Sequence, residues 1–112
     1  MRAETLKGHL DGLLLASLET GPRHGYAIME ALRSGSGGQF DLPTGTVSPA
    51  LRRLERAGLI EGTWSQEGGR QRRVYELTPA GRRTLTAERG TWREFSAAVT
   101  ALLEPAPRPV TP

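Results

Sequence analysis

The chain has 112 residues, a formal net charge of +3 and a sequence pI near 10.2. This length supports one domain with a single modest core, and the absence of cysteine excludes disulfides, thiolate metal sites and cysteine nucleophiles. No stretch is apolar over the roughly eighteen residues that a membrane span needs, and Met1-Arg2 leads into no signal-type apolar run, so we expect a cytoplasmic protein. Of the 15 basic residues, every one except Lys7 is arginine. That balance favours an anionic partner such as nucleic acid, although a general arginine bias gives the same count.

Two short helices are predicted in the first third of the chain. The first spans residues 6–18, where leucines recur at the spacing of one helix face, and Gly21-Pro22 ends it. The second spans residues 25–32. The apolar positions of the two helices are Leu6, Leu10, Leu13, Leu14 and Leu18, then Tyr26, Ile28, Met29 and Leu32. Residues 34–38 form a flexible link, and residues 39–42 are compatible with either a helical turn or a short extended segment.

Residues 44–62 are predicted to form a helix with one apolar and one basic face, followed by a strand. Val47, Leu51 and Leu54 recur at helical spacing on the apolar side. The residues that fall elsewhere on its surface include Ser48, Arg52, Arg53 and Arg56. A small helix with arginines on its free face suits the major groove of DNA.

The ends of this helix carry recognisable signals. Thr44 and Thr46 are both suitable N-cap residues, and Pro49 requires the helix to have barely begun, because proline lacks the N–H that later turns need. Gly58 is predicted to end the helix in a left-handed conformation.

A hairpin and a long helix are predicted to complete the fold. Residues 59–64 and 74–77 are predicted strands, joined by a loop over residues 65–73. The order of three helices and a hairpin is typical of a winged helix-turn-helix. Thr78 is suited to cap a further helix with Pro79 at its first position, and that helix extends to residue 103, longer than a small domain needs to cover itself.

The last helix carries a heptad pattern, which is interrupted by Glu88 and weakened by Gly90. Its apolar positions are Leu85, Trp92, Phe95, Val99 and Leu102. The stripe either packs on its own domain or pairs two copies of the chain, with Leu10 and Leu14 of the first helix on the surface that it closes on; we prefer pairing.

The predicted fold class is therefore mostly α with a small β wing: a winged helix-turn-helix with a long C-terminal dimerisation helix. Residues 6–78 would form the DNA-binding domain and residues 79–103 the dimerisation helix. The proline-rich residues 104–112 would form a disordered tail.

Several motifs in this order resemble the PadR family of bacterial transcriptional regulators, in particular its short members with one C-terminal dimerisation helix. Gly21-Pro22 followed by His24-Gly25-Tyr26 is similar to the family's turn into its second helix. Residues 45–55 are similar to its recognition segment, G-T-[LIV]-Y-P-x-L-x-R-L-E. The remaining similarities are Gly58-Leu59-Ile60, the Gly-Gly-Arg hairpin tip, Tyr75-x-Leu77-Thr78-x-x-Gly81, and Trp92 in the last helix.

The resemblance implies that the third helix enters the major groove while the hairpin contacts the neighbouring backbone. The expected DNA contacts are Tyr26, Thr44, Thr46, Ser48, Pro49, Arg52, Arg53, Arg70, Arg72 and Arg73. The alternative for each arginine is an ordinary solvated surface role. Ser48 departs from the family, which usually has a tyrosine there that can touch the DNA backbone, so this chain has a shorter reach at that position.

The resemblance also implies that Trp92 faces its twin across a dimer axis, where paired rings hold a flat aromatic ligand in some family members. Leu14, Trp92 and Phe95 are the expected contacts of such a ligand; the alternative is that Trp92 only seals the dimer. His24 and Tyr26 are interpreted as structural, with Tyr26 partly buried. Two isolated histidines make a poor metal site, so no cofactor is expected.

These observations predict a homodimeric regulator, most simply a repressor, of a two-fold symmetric operator in double-stranded DNA, with a planar aromatic effector and no membrane partner. The alternative is a winged-helix interaction module that has lost specific DNA binding, for which Ser48 is the motivation. An enzyme is not expected, because the sequence shows no paired carboxylates, metal cluster or activated nucleophile.

Overall fold

The structure, a computed structural model, describes residue 6 and residues 8–107, the side chain of residue 67 excepted. Its elements are α1 (Leu10–Ser17), β1 (Arg23–His24), α2 (Gly25–Gly35), α3 (Thr44–Arg56), β2 (Ile60–Glu67), β3 (Arg70–Leu77) and α4 (Pro79–Leu103). This is the predicted winged helix-turn-helix with a long C-terminal helix.

The core forms where α1, α2 and α3 meet beneath the base of the sheet. Its largest fully buried side chains are Leu14, Leu15, Leu18, Ile28, Val47, Leu51, Leu54 and Ile60. The predicted first helix is too long at its start: Gly8 adopts a φ of +88°, which breaks the helix, so Leu6 is buried in a separate preceding turn. The second helix is longer than predicted and ends at Gly35.

The predicted start of α3 is wrong in detail. Pro43, whose carbonyl accepts hydrogen bonds from the N–H groups of Thr46 and Val47, is the N-cap, and neither predicted threonine caps the helix. Pro49 consequently lies at the sixth helical position instead of in the first turn. Its missing N–H removes the bond that would otherwise satisfy the Gly45 carbonyl. Gly58 ends the segment with a φ of +76°, as predicted.

The three strands form an antiparallel sheet in the order β1-β3-β2. Ile60 pairs with Leu77 at the base of the hairpin, and the pairing continues to its tip. The predicted loop over residues 65–73 is therefore wrong: only Gly68 and Gly69 form the turn, both with positive φ, which is the conformation of the tightest hairpin turns. The polar composition of this hairpin hid its regular structure. β1, a two-residue strand beside β3, was not predicted.

The long helix α4 has the predicted bounds and cap. The Thr78 hydroxyl accepts a hydrogen bond from the N–H of Gly81 at 3.1 Å and donates one to the Gly58 carbonyl at 2.6 Å. The Thr78 N–H donates to the Leu59 carbonyl at 3.1 Å. A Cβ at Gly81 would lie 1.9 Å from that same carbonyl oxygen, so only glycine permits this contact.

α4 begins inside the core and ends outside it. Leu85 is buried with the residues of α1, whereas Leu102 is 82% exposed. Residues 105–107 have no regular secondary structure, and the rest of the predicted tail lies outside the described residues. Within residue 6 and residues 8–107, no helix combines the length and apolarity needed to cross a bilayer.

Candidate nucleic-acid interface

A cleft of about 340 Å³ lies between the first turn of α2, the N-terminal half of α3 and the hairpin. It brings together six of the ten predicted DNA contacts: Tyr26, Thr44, Ser48, Arg70, Arg72 and Arg73. The remaining four, Thr46, Pro49, Arg52 and Arg53, lie outside this cleft.

His24 forms the floor of the cleft at the start of α2. Its Nδ1 accepts a hydrogen bond from the N–H of Ala27 at 3.3 Å, which makes His24 the N-cap and confirms its structural interpretation. Its Nε2 lies 3.0 Å from Nη1 of Arg72. This contact holds the Arg72 guanidinium against the start of α2, within the cleft.

Tyr26 is exposed, not partly buried as predicted. The side chain is 75% accessible, because Ile28 and Leu32 supply the buried face of α2 and turn the first helical turn outward. This position leaves the phenol at the rim of the cleft.

The three arginines of α3 point in different directions. Residues advance by about 100° around a helix, which puts Arg52 and Arg56 nearly opposite the buried Val47 and Leu54, and both are exposed. Arg53 lies on the flank that faces α1. The expected DNA contacts include Arg53 and not Arg56, whereas the helix geometry puts Arg56 closer to the centre of the outward face.

Arg73 is not at the hairpin tip as predicted. It pairs with Trp64 in the middle of the sheet, where its guanidinium lies 5.3 Å from the Trp64 ring and donates to Glu55 at 2.5 Å. Glycine at position 62 leaves room for it, since a Cβ there would lie 2.8 Å from Arg73 Nε. Burial, reinforced by the Glu55 carboxylate, raises the pKa of Tyr75 beside it. Arg73 therefore fastens the wing to α3.

A second, more apolar groove of about 600 Å³ runs between α1 and α4. Its lining residues are Leu6, His9, Gly12, Leu13, Ala16, Phe40, Leu85, Glu88, Arg89, Trp92 and Phe95. The His9 ring meets Trp92 edge-on at 5.5 Å, and Phe95 lies 6.2 Å from Trp92.

The predicted role of Leu14 in this groove is wrong. Leu14 is 0% exposed, because it faces the three-helix core, so it has no surface to offer a ligand or a second copy. Leu85 is also buried and contributes only the floor of the groove. Trp92 and Phe95 line the groove and are 53% and 55% exposed.

One charged pair closes the side of the groove. Arg89 donates two hydrogen bonds to Glu19, at 2.6 and 2.7 Å, and these bonds lower the pKa of the Glu19 carboxyl. Glu88 lies against α1 at Gly12. Across the described part of the chain, no three His, Asp or Glu side chains come together as a metal site would require.

Comparison with known proteins agrees with this architecture. The profile of the Transcriptional regulator PadR-like family matches residues 14–87, which is more than half of the chain. The chain belongs to the PadR-like family. This membership makes it a transcriptional regulator of winged-helix architecture, and it confirms the family resemblance seen in the motifs.

Individual relatives show how far this similarity extends. The transcriptional regulator Rv3488 of Mycobacterium tuberculosis is 38% identical over 77 residues, which cover 69% of this PadR-like chain and 59% of that protein. A PadR family regulator of Clostridium difficile is 32% identical, with a TM-score of 0.76 over 86% of this chain and 99% of that one. Bacillus subtilis PadR, solved with operator DNA, shares the fold at 23% identity, with a TM-score of 0.64 over 93% of this chain and 52% of that one.

Sequence reasoning missed the acidic partners of this PadR-like site. Asp11 pairs with Arg53 and Glu55 with Arg73, across 42 and 18 residues of sequence. No local pattern marks such distant pairs, since only the tertiary fold brings them together. They divide the predicted arginines into those already paired within the protomer and those, such as Arg52 and Arg70, on the open face.

Proposed function

We propose that this PadR-like regulator is a homodimeric repressor that binds a two-fold symmetric operator and is released by a planar aromatic effector. The observation that carries the proposal is the clustering of predicted DNA contacts in one cleft, beside the outward arginines of α3. In this arrangement α3 enters the major groove, and Arg70 and Arg72 of the hairpin contact the adjacent backbone.

The outer half of α4 supports a dimer. Phe95, Leu102 and Leu103 are all more than half exposed, and Trp92 and Val99 continue the same heptad seam. An apolar stripe at this spacing is the surface that two helices bury against each other. The occupant is a second copy of this chain, which would place the two α3 helices about one turn of DNA apart.

The α1–α4 groove supports an aromatic effector. Its volume falls within the roughly 300–1,000 Å³ of small-molecule sites, and the rings of His9, Trp92 and Phe95 offer faces and edges for stacking. A ligand there would release DNA only to the extent that it binds the DNA-free spacing of the two heads more tightly.

DNA binding is tested by titrating the protein with its own upstream DNA and with an unrelated duplex at several salt concentrations. We expect Arg52→Gln/Arg56→Gln to lose at least about tenfold in affinity, because two outward charges are removed. The matched control is Arg83→Gln/Arg93→Gln, which removes two exposed charges from α4. Equal losses in the two double variants would contradict the assignment of α3.

The dimer is tested by sedimentation equilibrium of the wild-type chain and of Trp92→Ala/Phe95→Ala. We expect a wild-type dimer and a variant shifted towards monomer, since two large apolar side chains leave the seam. A wild-type monomer at micromolar concentration would refute the dimer.

The effector site is tested by fluorescence in a Trp64→Phe background, where Trp92 is the remaining tryptophan. Acridine added to that variant should quench Trp92 in a saturable way. Unchanged acridine affinity after Phe95→Ala and Trp92→Ala, measured by calorimetry, would remove the groove from the proposal.

A further inference from the structure

Arg53 is held by a carboxylate on a different helix. Its Nη1 lies 3.0 and 3.2 Å from the two carboxylate oxygens of Asp11, and its Nη2 lies 2.8 Å from Oδ1. This two-pronged pair joins α3 to α1, so the guanidinium points along the flank of the recognition helix and away from the outward face occupied by Arg52 and Arg56.

Both side chains of the pair are about half exposed to solvent. The side chains of Arg53 and Asp11 are 54% and 45% exposed, so the contact can open without leaving a buried charge unpaired. Asp11 also lies in the first turn of α1, where the helix dipole favours a negative charge.

A DNA phosphate and the Asp11 carboxylate are chemically similar partners for Arg53. Each offers two oxygens to the planar guanidinium, which binds both in the same forked geometry. Arg53 belongs to α3, the helix that the proposed function places in the major groove of DNA. Its flank of α3 lies next to the outward-facing Arg52 and Arg56. A backbone phosphate passing along that flank would meet Arg53 and Asp11 together.

We propose that Asp11 is an internal competitor of DNA, which holds Arg53 away from the phosphate backbone and repels phosphates itself. The inference rests on the proposed function. Because phosphate contacts carry no sequence information, this competition lowers the sequence-independent part of the affinity. Asp11 thereby limits binding to unrelated DNA without touching a base.

The opposite interpretation is that the pair is only a strut that keeps α3 in position against α1. The two differ in the sign of one measurement. A strut predicts that breaking the pair from the Asp11 side weakens DNA binding, because the recognition helix is less well placed. A competitor predicts that the same change strengthens it, because Arg53 becomes free for a phosphate.

The test measures the affinity of Asp11→Asn for upstream and unrelated duplexes over a series of salt concentrations. We expect tighter binding to both duplexes, by up to about fivefold, which is the limit for an exposed ion pair. We also expect the salt dependence to steepen by about one unit, since one further phosphate is neutralised. Asp11→Ser, which also suits a first helical turn, should give the same result.

Two controls isolate the effect of Arg53. Glu30→Gln removes the same charge from another exposed arginine pair, Glu30 with Arg33 on α2, and should leave the salt slope unchanged. Asp11→Asn/Arg53→Gln should lose the gain in affinity. If both Asp11 variants behave like Glu30→Gln, or bind more weakly than the wild type, the inference is overturned. If the wild-type chain binds neither duplex at low salt, it is the proposed function that fails.

Discussion

Gly81 is the position where the structure predicts the largest effect of a single added methyl group. Its Cβ would lie 1.9 Å from the Leu59 carbonyl oxygen, and contacts under 3.0 Å are essentially never formed by real Cβ atoms. Gly81→Ala must therefore move the start of α4 by more than 1 Å from the turn that precedes β2. That turn and the Thr78 cap share their hydrogen bonds, so a shift of this size breaks the cluster.

The cost of Gly81→Ala follows from the bonds in this cluster. The Thr78 N–H bond to Leu59 and the Thr78 hydroxyl bond to Gly58 are each worth about 1 kcal/mol, and losing the cap at Gly81 costs about 1 kcal/mol more. Alanine recovers about 1 kcal/mol through its helix propensity. We expect a net loss of about 2 kcal/mol, or roughly 10 °C in Tm.

Gly90 provides the matched control in the same helix. A Cβ there meets nothing within 4 Å, so Gly90→Ala gains the propensity term alone and should stabilise the chain by about 1 kcal/mol. Both variants are compared with the wild type by thermal and urea unfolding, followed by circular dichroism at one fixed protein concentration. A Gly81→Ala variant as stable as Gly90→Ala would refute the close contact at Leu59.

Three further outcomes are expected from the charged pairs and the cleft. Glu55→Gln should destabilise the chain by about 1–2 kcal/mol in urea unfolding, because it frees the half-buried Arg73 that fastens the wing; a loss no larger than that of Glu30→Gln would contradict this. Because the folded-state pKa of Glu19 is lowered, the stability it contributes is present above its ordinary value of 4.5 and is lost as the pH falls through the lowered pKa. The stability difference between Glu19→Gln and the wild type should therefore disappear below that range, and a difference that persists there would contradict the pairing. Ser48→Tyr, which restores the usual family residue in the cleft, should tighten binding to the upstream duplex at low salt, and no change in filter-binding affinity would show that position 48 does not reach the DNA.

The helices of the core were predictable because their signal is local. The spacing of Val47, Leu51 and Leu54 alone predicts the buried face of α3. Thr78 as the N-cap and Pro79 at the first helical position predict the start of α4. The errors occurred where a longer-range constraint decides the outcome. Residues 65–73 are polar and appear loop-like, yet the two-residue glycine turn aligns them into a ladder that hydrophobic periodicity cannot reveal.

The candidate site was predictable to a similar extent. The motifs assign positions such as Tyr26, Ser48 and Arg72 to one surface from the sequence alone, and the structure brings them into one cleft. The pairing of Arg53 with Asp11 was not predictable, because surface ion pairs depend on which flank of one helix faces another. The position of each residue around the axis of α3, not its type, separates the outward Arg52 and Arg56 from the paired Arg53.

The close contact at Gly81 packs the start of α4 against the turn at the base of the wing. The helix is about 37 Å long at 1.5 Å per residue, so a tilt of about 5° about its first turn displaces its C-terminal end by roughly 3 Å. In the proposed dimer the C-terminal halves of the two α4 helices would pack together. A small change in that packing would tilt each α4 against the base of its wing. In the proposed dimer, the absence of a side chain at position 81 would couple the packing of the two α4 helices to the position of the wing.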